Sequence, residues 1–222
     1  MALVVPVLAA TYDPGVSVGE YVKYESHVVG GPDILNWTKD EVITVSGKEV
    51  TLRSSGQFKN GTSSPGSGRA LRYNVETGKM NGTTDYTYGP IIASNLTEGD
   101  SIPPLSSQLK VNKTETRTYL GNSRSVNILN TSYSDQNYAN RWTIIYDRVS
   151  GMMLEMRFDY TVKKPTPTTT TQTLTVIDTN IFGQVIPEFP SGILLFLASL
   201  TVPALLLGRR RLPRYGRNQV LT

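Results

Sequence analysis

Residues 152–162 read MMLEMRFDYTV. Met152, Leu154, Met156, Phe158, Tyr160 and Val162 fall on one parity, and Met153, Glu155, Arg157, Asp159 and Thr161 on the other. A period of two marks a strand with one buried face, because successive side chains of a pleated chain point to opposite sides. Six large apolar side chains on one parity make this strand the expected backbone of a core. Each contributes about 1.5–3 kcal/mol when fully buried, before chain entropy is subtracted. Just upstream, Trp142, Ile144 and Tyr146 alternate in the same way, and residues 147–151 (DRVSG) supply the turn of a hairpin.

The same period recurs outward from this hairpin. In residues 18–28, Val18, Val22, Tyr24 and Val28 share one parity, weakened by Glu20 and Ser26; Tyr21, Lys23, Glu25 and His27 share the other. In EVITVSGKEVTLR, Ile43 and Val45 precede a Ser46-Gly47-Lys48 turn, and Val50 and Leu52 follow it. Residues 117–128 repeat the pattern around Gly121-Asn122, and residues 174–182 form a last strand. NGTSSPGSGR at 60–69 and KPTPTTTT at 164–171 read as loops inside the domain. No stretch before residue 185 has a helical period of useful length. The predicted fold is mainly β, a single curved antiparallel sheet in the form of a half-barrel or sandwich, plus one C-terminal transmembrane helix.

That helix is expected from the tail, VIPEFPSGILLFLASLTVPALLLGRRR. Residues 192–208 carry no charge, and as a helix they would cover about 26 Å of a hydrocarbon core about 30 Å thick. Arg209, Arg210, Arg211, Arg214 and Arg217 all follow the run, and positions 189–208 hold no Lys or Arg. Cationic flanks stay cytoplasmic, so the expected topology is single-pass, with the domain outside and the C-terminus inside. Five of the 22 Lys+Arg are these arginines, which leaves 17 against 18 Asp+Glu in the rest of the chain. The basic balance belongs to the tail and does not mark a nucleic-acid surface.

At the other end, residues 2–10 are apolar and finish in small residues, as the last part of a signal peptide does. The expected division is a partial signal peptide at 1–10, an extracellular β-domain at 17–182, a spacer at 183–190, the membrane helix at 191–208 and a basic tail at 209–222. There are no cysteines, so the core must hold without disulfides. Six Asn-x-Ser/Thr sequons, at Asn36, Asn60, Asn81, Asn95, Asn112 and Asn130, all precede the apolar run and predict N-glycosylation.

Ile186-Pro187-Glu188-Phe189-Pro190, the apolar run and the arginine cluster resemble, in that order, the PEF-type C-terminal sorting signals of archaeal surface proteins. The resemblance is confined to the tail that begins near Ile186. It implies that Pro187, Glu188, Phe189 and Pro190 are recognised by a membrane transpeptidase of the archaeosortase kind. The chain departs from the usual pattern by continuing past Arg211 as far as Thr222. YDRVSGMMLEM, GEYVKYE and NLTEGDSI are similar to segments of archaeal exported β-domains that carry this tail, a resemblance that implies no chemistry.

Catalytic signatures are missing from the residues. His27, the sole histidine, sits on the polar parity of a strand. No phosphate-binding glycine loop or zinc-ligand spacing occurs. The carboxylate pairs Asp40/Glu41, Glu98/Asp100 and Glu155/Asp159 fit solvated strand and turn residues. No catalytic, cofactor or metal residue is therefore expected. The expected partners are membrane lipid, the transpeptidase and a surface protein or glycan. The expected role is structural or adhesive, with a module that encloses an apolar ligand or lipid as the alternative; a filled core favours the first and an apolar cavity the second.

Overall fold

The computed structural model describes residues 11–86, 88–104 and 108–183. The expected signal segment, the motif at 187–190, the apolar helix and Arg209, Arg210 and Arg211 lie outside the described residues. Within them the secondary structure is β throughout, and no helix is long and apolar enough to cross a membrane.

The strands are β1 (Tyr21–Val29), β2 (Leu35–Ser46), β3 (Glu49–Phe58), β4 (Ala70–Asn74), β5 (Lys79–Met80), β6 (Thr84–Asp85), β7 (Lys113–Tyr119), β8 (Asn122–Ser134), β9 (Tyr138–Asp147), β10 (Met153–Val162) and β11 (Thr168–Thr179). They form one antiparallel sheet in the order β6-β5-β4-β3-β2-β1-β11-β10-β9-β8-β7. Two meanders are joined where β1 pairs with β11, and the sheet is not closed. The predicted hairpins are present, but the last strand, expected at 174–182, begins at Thr168, inside the stretch 164–171 expected as a loop, and ends at Thr179, because Thr168–Thr171 pair with Asp159–Val162 of β10. Leu120 and Gly121 connect β7 to β8 with φ of 48° and 80°, the left-handed pair that a two-residue hairpin loop prefers.

Parity fails at three places, each for a local reason. A register shift between Val42 and Thr44 turns Val42 inward opposite Leu52, so Val42, not Ile43, is the core residue of β2. Val18 lies ahead of β1 and is exposed, whereas Ser26 is buried. On β10 a second shift, between Met153 and Glu155, accompanies burial of Met152, Met153 and Leu154 together. Residues 126–129 and 144–147 are likewise buried without alternation, as expected of strands covered on both faces. Farther along β10 the apolar parity loses its cover, and Phe158, Tyr160 and Val162 are only half-buried.

The cover on the core face comes from the described residues between Tyr86 and Val111, which form no helix or long strand and bury Ile91, Ile92, Ala93, Leu96 and Ile102. Its polar backbone is anchored to the sheet. Ile92 N donates to Gly151 O at 3.0 Å and Met153 N to Pro90 O at 2.9 Å. Asn127 Nδ2 donates to Leu96 O at 2.8 Å. Gly151 has φ of 76°, and a Cβ there would strike the Ile92 carbonyl. The same segment touches both halves of the sheet. Tyr86 meets Tyr73 of β4 edge-on at 5.0 Å, and Gly89 packs on the Tyr86 ring. Gly89 O accepts the Tyr146 hydroxyl of β9 at 3.0 Å. β4 and β9 stand six places apart, about 29 Å in a flat sheet.

The opposite face of β8–β10 is held by a buried ion pair. Arg124 Nε and Nη2 donate to Asp147 Oδ1 and Oδ2 at 2.8 and 2.9 Å. Asp147, fully buried, also accepts the Ser150 amide and hydroxyl at 2.8 Å each, which closes the β9–β10 turn. The Phe182 ring lies 5.0 Å from the Arg124 guanidinium, at the end of the compact unit.

Candidate functional site

Packing stops where the covering segment ends. Four rings on the core face of β9 and β10 continue past it: Trp142, Phe158, Tyr160 and Tyr138. Register places Trp142 opposite Phe158 and Asn140 opposite Tyr160. Trp142 and Phe158 stack at 3.9 Å between centroids and 25°, and Tyr88, from the covering segment, stacks on Trp142 at 4.8 Å and 13°. Tyr160 continues the row to Tyr138 at 5.7 Å and 18°. Face-to-face stacking occupies ring faces with one another and leaves edges toward the open space.

Beside this row lies a groove of about 330 Å³, within the range of small-ligand clefts, about 300–1,000 Å³. Phe158 and Tyr160 form one wall, and Val28, Pro32, Ile34 and Leu35 from β1, β2 and their connection form the other. Gln172 and Thr170 of β11 lie between them, with Ser26 beside Gln172. Ser26 pairs with Leu174 and Val28 with Gln172, so Ser26 and Gln172 are diagonal neighbours on the same face. Ser26 is 2% exposed, and its hydroxyl has no hydrogen-bond partner among the described residues. The side-chain oxygen Oδ1 of Asn140, opposite Tyr160, is also buried without a partner among them. No lining residue of the groove is charged.

A larger depression, about 510 Å³, overlies Arg141, Arg157, Asp159, Thr161 and Thr171. Arg157 meets Asp159 there at 3.1 Å, and Thr171 donates to Asp159 at 2.7 Å. A polar hollow of about 240 Å³ on the core face lies over Thr38, Asp40, Ser54 and Ser64. Asp40 accepts the Ser54 hydroxyl at 2.5 Å, and burial pushes its carboxyl above the usual 3.8.

The residues singled out by sequence are spread over the molecule. All six sequon asparagines are exposed, and none lines the groove. Asn60 accepts from the Thr62 amide and hydroxyl at 3.0 and 2.7 Å, Asn81 from Arg72 N at 3.1 Å, Asn112 from Asn130 N at 2.5 Å and Asn130 from Thr143 at 2.9 Å. Each of these bonds uses the side-chain oxygen. His27 is exposed beside Asp33 at 3.3 Å. The carboxylate pair Asp40/Glu41 separates: Asp40 turns inward to Ser54, while Glu41 meets Arg53 at 3.2 Å. Among the described residues no three His, Cys, Asp or Glu side chains gather as a metal site. Sequence reasoning passed over the groove. Its one visible signal was Ser26, a hydroxyl interrupting an apolar parity. No protein-family model matches the chain, and no curated protein matches it.

Proposed function

We propose that this chain is a single-pass surface protein whose exported, N-glycosylated domain is a curved half-barrel that binds an apolar ligand in the groove beside Phe158 and Tyr160. The observation that carries this reading is the half-open aromatic row next to an uncharged groove, on the same face as the core. A purely structural domain would have no reason to leave Trp142 and Phe158 half-covered, since burying them fully would add stability. The exposure of all six sequon asparagines away from the groove supports glycosylation of a surface that leaves the site clear. The described domain ends at the opposite end of the strands from the groove. Nine residue steps along β11 lead from Thr170 to Thr179, about 30 Å. An adhesive role is the second reading, favoured by Tyr133 and Tyr138, exposed near the β8–β9 tip.

The test uses the full chain in lipid nanodiscs with Trp37→Phe, so that Trp142 is its single tryptophan. Brominated dodecane should quench Trp142 saturably at about one probe per chain. Nanodiscs that carry bromine only on their lipids control for quenching from the bilayer. Absence of saturable quenching ends the apolar-ligand reading and leaves the adhesive one.

A further inference from the structure

We infer that the groove takes a neutral amphiphile, an apolar chain ending in a hydroxyl or carbonyl group that hydrogen-bonds Ser26 and Gln172. The inference rests on the apolar-ligand reading and goes further by assigning the head group. Ser26 is buried and its hydroxyl is unpartnered among the described residues, although it lines an open groove. A buried hydroxyl without a partner is costly, and such groups in folded proteins are nearly always satisfied by protein, water or ligand. The Gln172 amide, diagonal to it, makes no side-chain hydrogen bond to another described residue. A hydroxyl and an amide side by side offer donors and acceptors together, which suits an alcohol, ester or amide.

The lining excludes charged heads, because every side chain that forms it is uncharged. A carboxylate, phosphate or ammonium seated at Ser26 would lose water without gaining a counter-charge, and that cost exceeds what two neutral hydrogen bonds return. The one charged side chain between Pro32 and Ile34, Asp33, meets Lys59 and His27 through Oδ2, while its Oδ1 is buried without a partner among the described residues, so the charge beside the groove is negative and opposes an anionic head. The stacked rings restrict the body of the ligand in the same way. A flat sugar needs a free ring face, whereas a hydrocarbon chain packs against ring edges and aliphatic side chains.

The experiment compares three brominated probes of equal chain length on the same full-length, Trp37→Phe protein: a dodecane, a dodecan-1-ol and a dodecanoate. The alcohol should quench Trp142 at a concentration about fivefold lower than the alkane, the gain of one net hydrogen bond. The carboxylate should be the weakest. Ser26→Ala should bring the alcohol and alkane together within about twofold while the alkane keeps its own affinity, and it should not lower thermal stability, since it removes an unpaired group. Equal quenching by alcohol and alkane in the parent protein overturns the head-group assignment and leaves the apolar-ligand reading standing. Tightest binding by the carboxylate overturns the neutral head. Loss of quenching by all three overturns both.

Discussion

Trp142 and Phe158 face each other across β9 and β10, their ring centroids 3.9 Å apart and their planes 25° from parallel. Both are half-buried, and Leu154, four residues before Phe158 on the same parity, is fully buried. One strand thus passes from core to open site within four residues. Leu154→Ala should cost about 2–5 kcal/mol. Phe158→Ala, although it removes the larger side chain, should cost only about 1–2 kcal/mol. Urea denaturation of the two variants checks the order, and a reversal would place Phe158 in the core.

On the other parity of β10, Arg157 is exposed and pairs with Asp159 at 3.1 Å. Exposed pairs contribute little, so Arg157→Ala should change stability by less than about 0.5 kcal/mol. Leu154→Asp should unfold the domain, as an unpaired buried charge does. Circular dichroism melts of both variants show whether the two parities differ as stated.

Arg124 and Asp147 form a polar lock in the domain, with two charge-assisted bonds on a carboxylate that has no exposure to water. Arg124→Ala leaves that carboxylate buried without its cation and should cost about 3–5 kcal/mol. Replacing both residues with apolar side chains should cost much less than the single change. A double-mutant cycle by thermal unfolding measures the difference.

Asp40 titrates in the opposite sense to a salt-bridged carboxylate. Burial raises its pKa in the folded state above the ordinary 3.8, so folding favours its protonated form. Its contribution is fully present below pH 3.8 and is lost as pH rises through the raised folded value. Asp33, Glu41, Glu115, Asp135 and Asp159 are shifted downward and act the other way. Asp40→Asn therefore isolates the effect. The variant should gain stability relative to the parent at pH 7 and lose that advantage at pH 4, as followed by unfolding at the two pH values.

The tail reading has its own tests. Protease added to intact cells should remove the domain and spare a tag placed after Thr222. If a transpeptidase reads Pro187, Glu188, Phe189 and Pro190, mature protein should lack the chain that follows the motif, and Glu188→Ala or Phe189→Ala should restore it. Intact mass of membrane-extracted protein with Arg209, Arg210 and Arg211 still present would show instead a retained anchor.

Strand positions and hairpin turns were legible in the sequence because a half-covered strand writes its burial directly into alternate residues, as in residues 154–162. Gly47 and Gly121 mark their turns for an equally local reason, the left-handed backbone they allow. The tail and its charge asymmetry are local too. The cover over the core was not legible. Ile91, Ile92, Ala93, Leu96 and Ile102 follow neither a period of two nor one of 3.6, because that segment is shaped by the sheet beneath it and not by its own repeat. The shifts at Ile43 and Leu154 were hidden for a related reason: one extra residue flips every later side chain, and only pairing with the neighbouring strand reveals it. The site belongs to the same class. Phe158 and Gln172 pair on the consecutive strands β10 and β11, but Ser26 lies far away in the chain on β1, so their meeting on one face depends on β1 pairing with β11. Sequence determined which residues could line a face; long-range pairing decided which of them stayed uncovered.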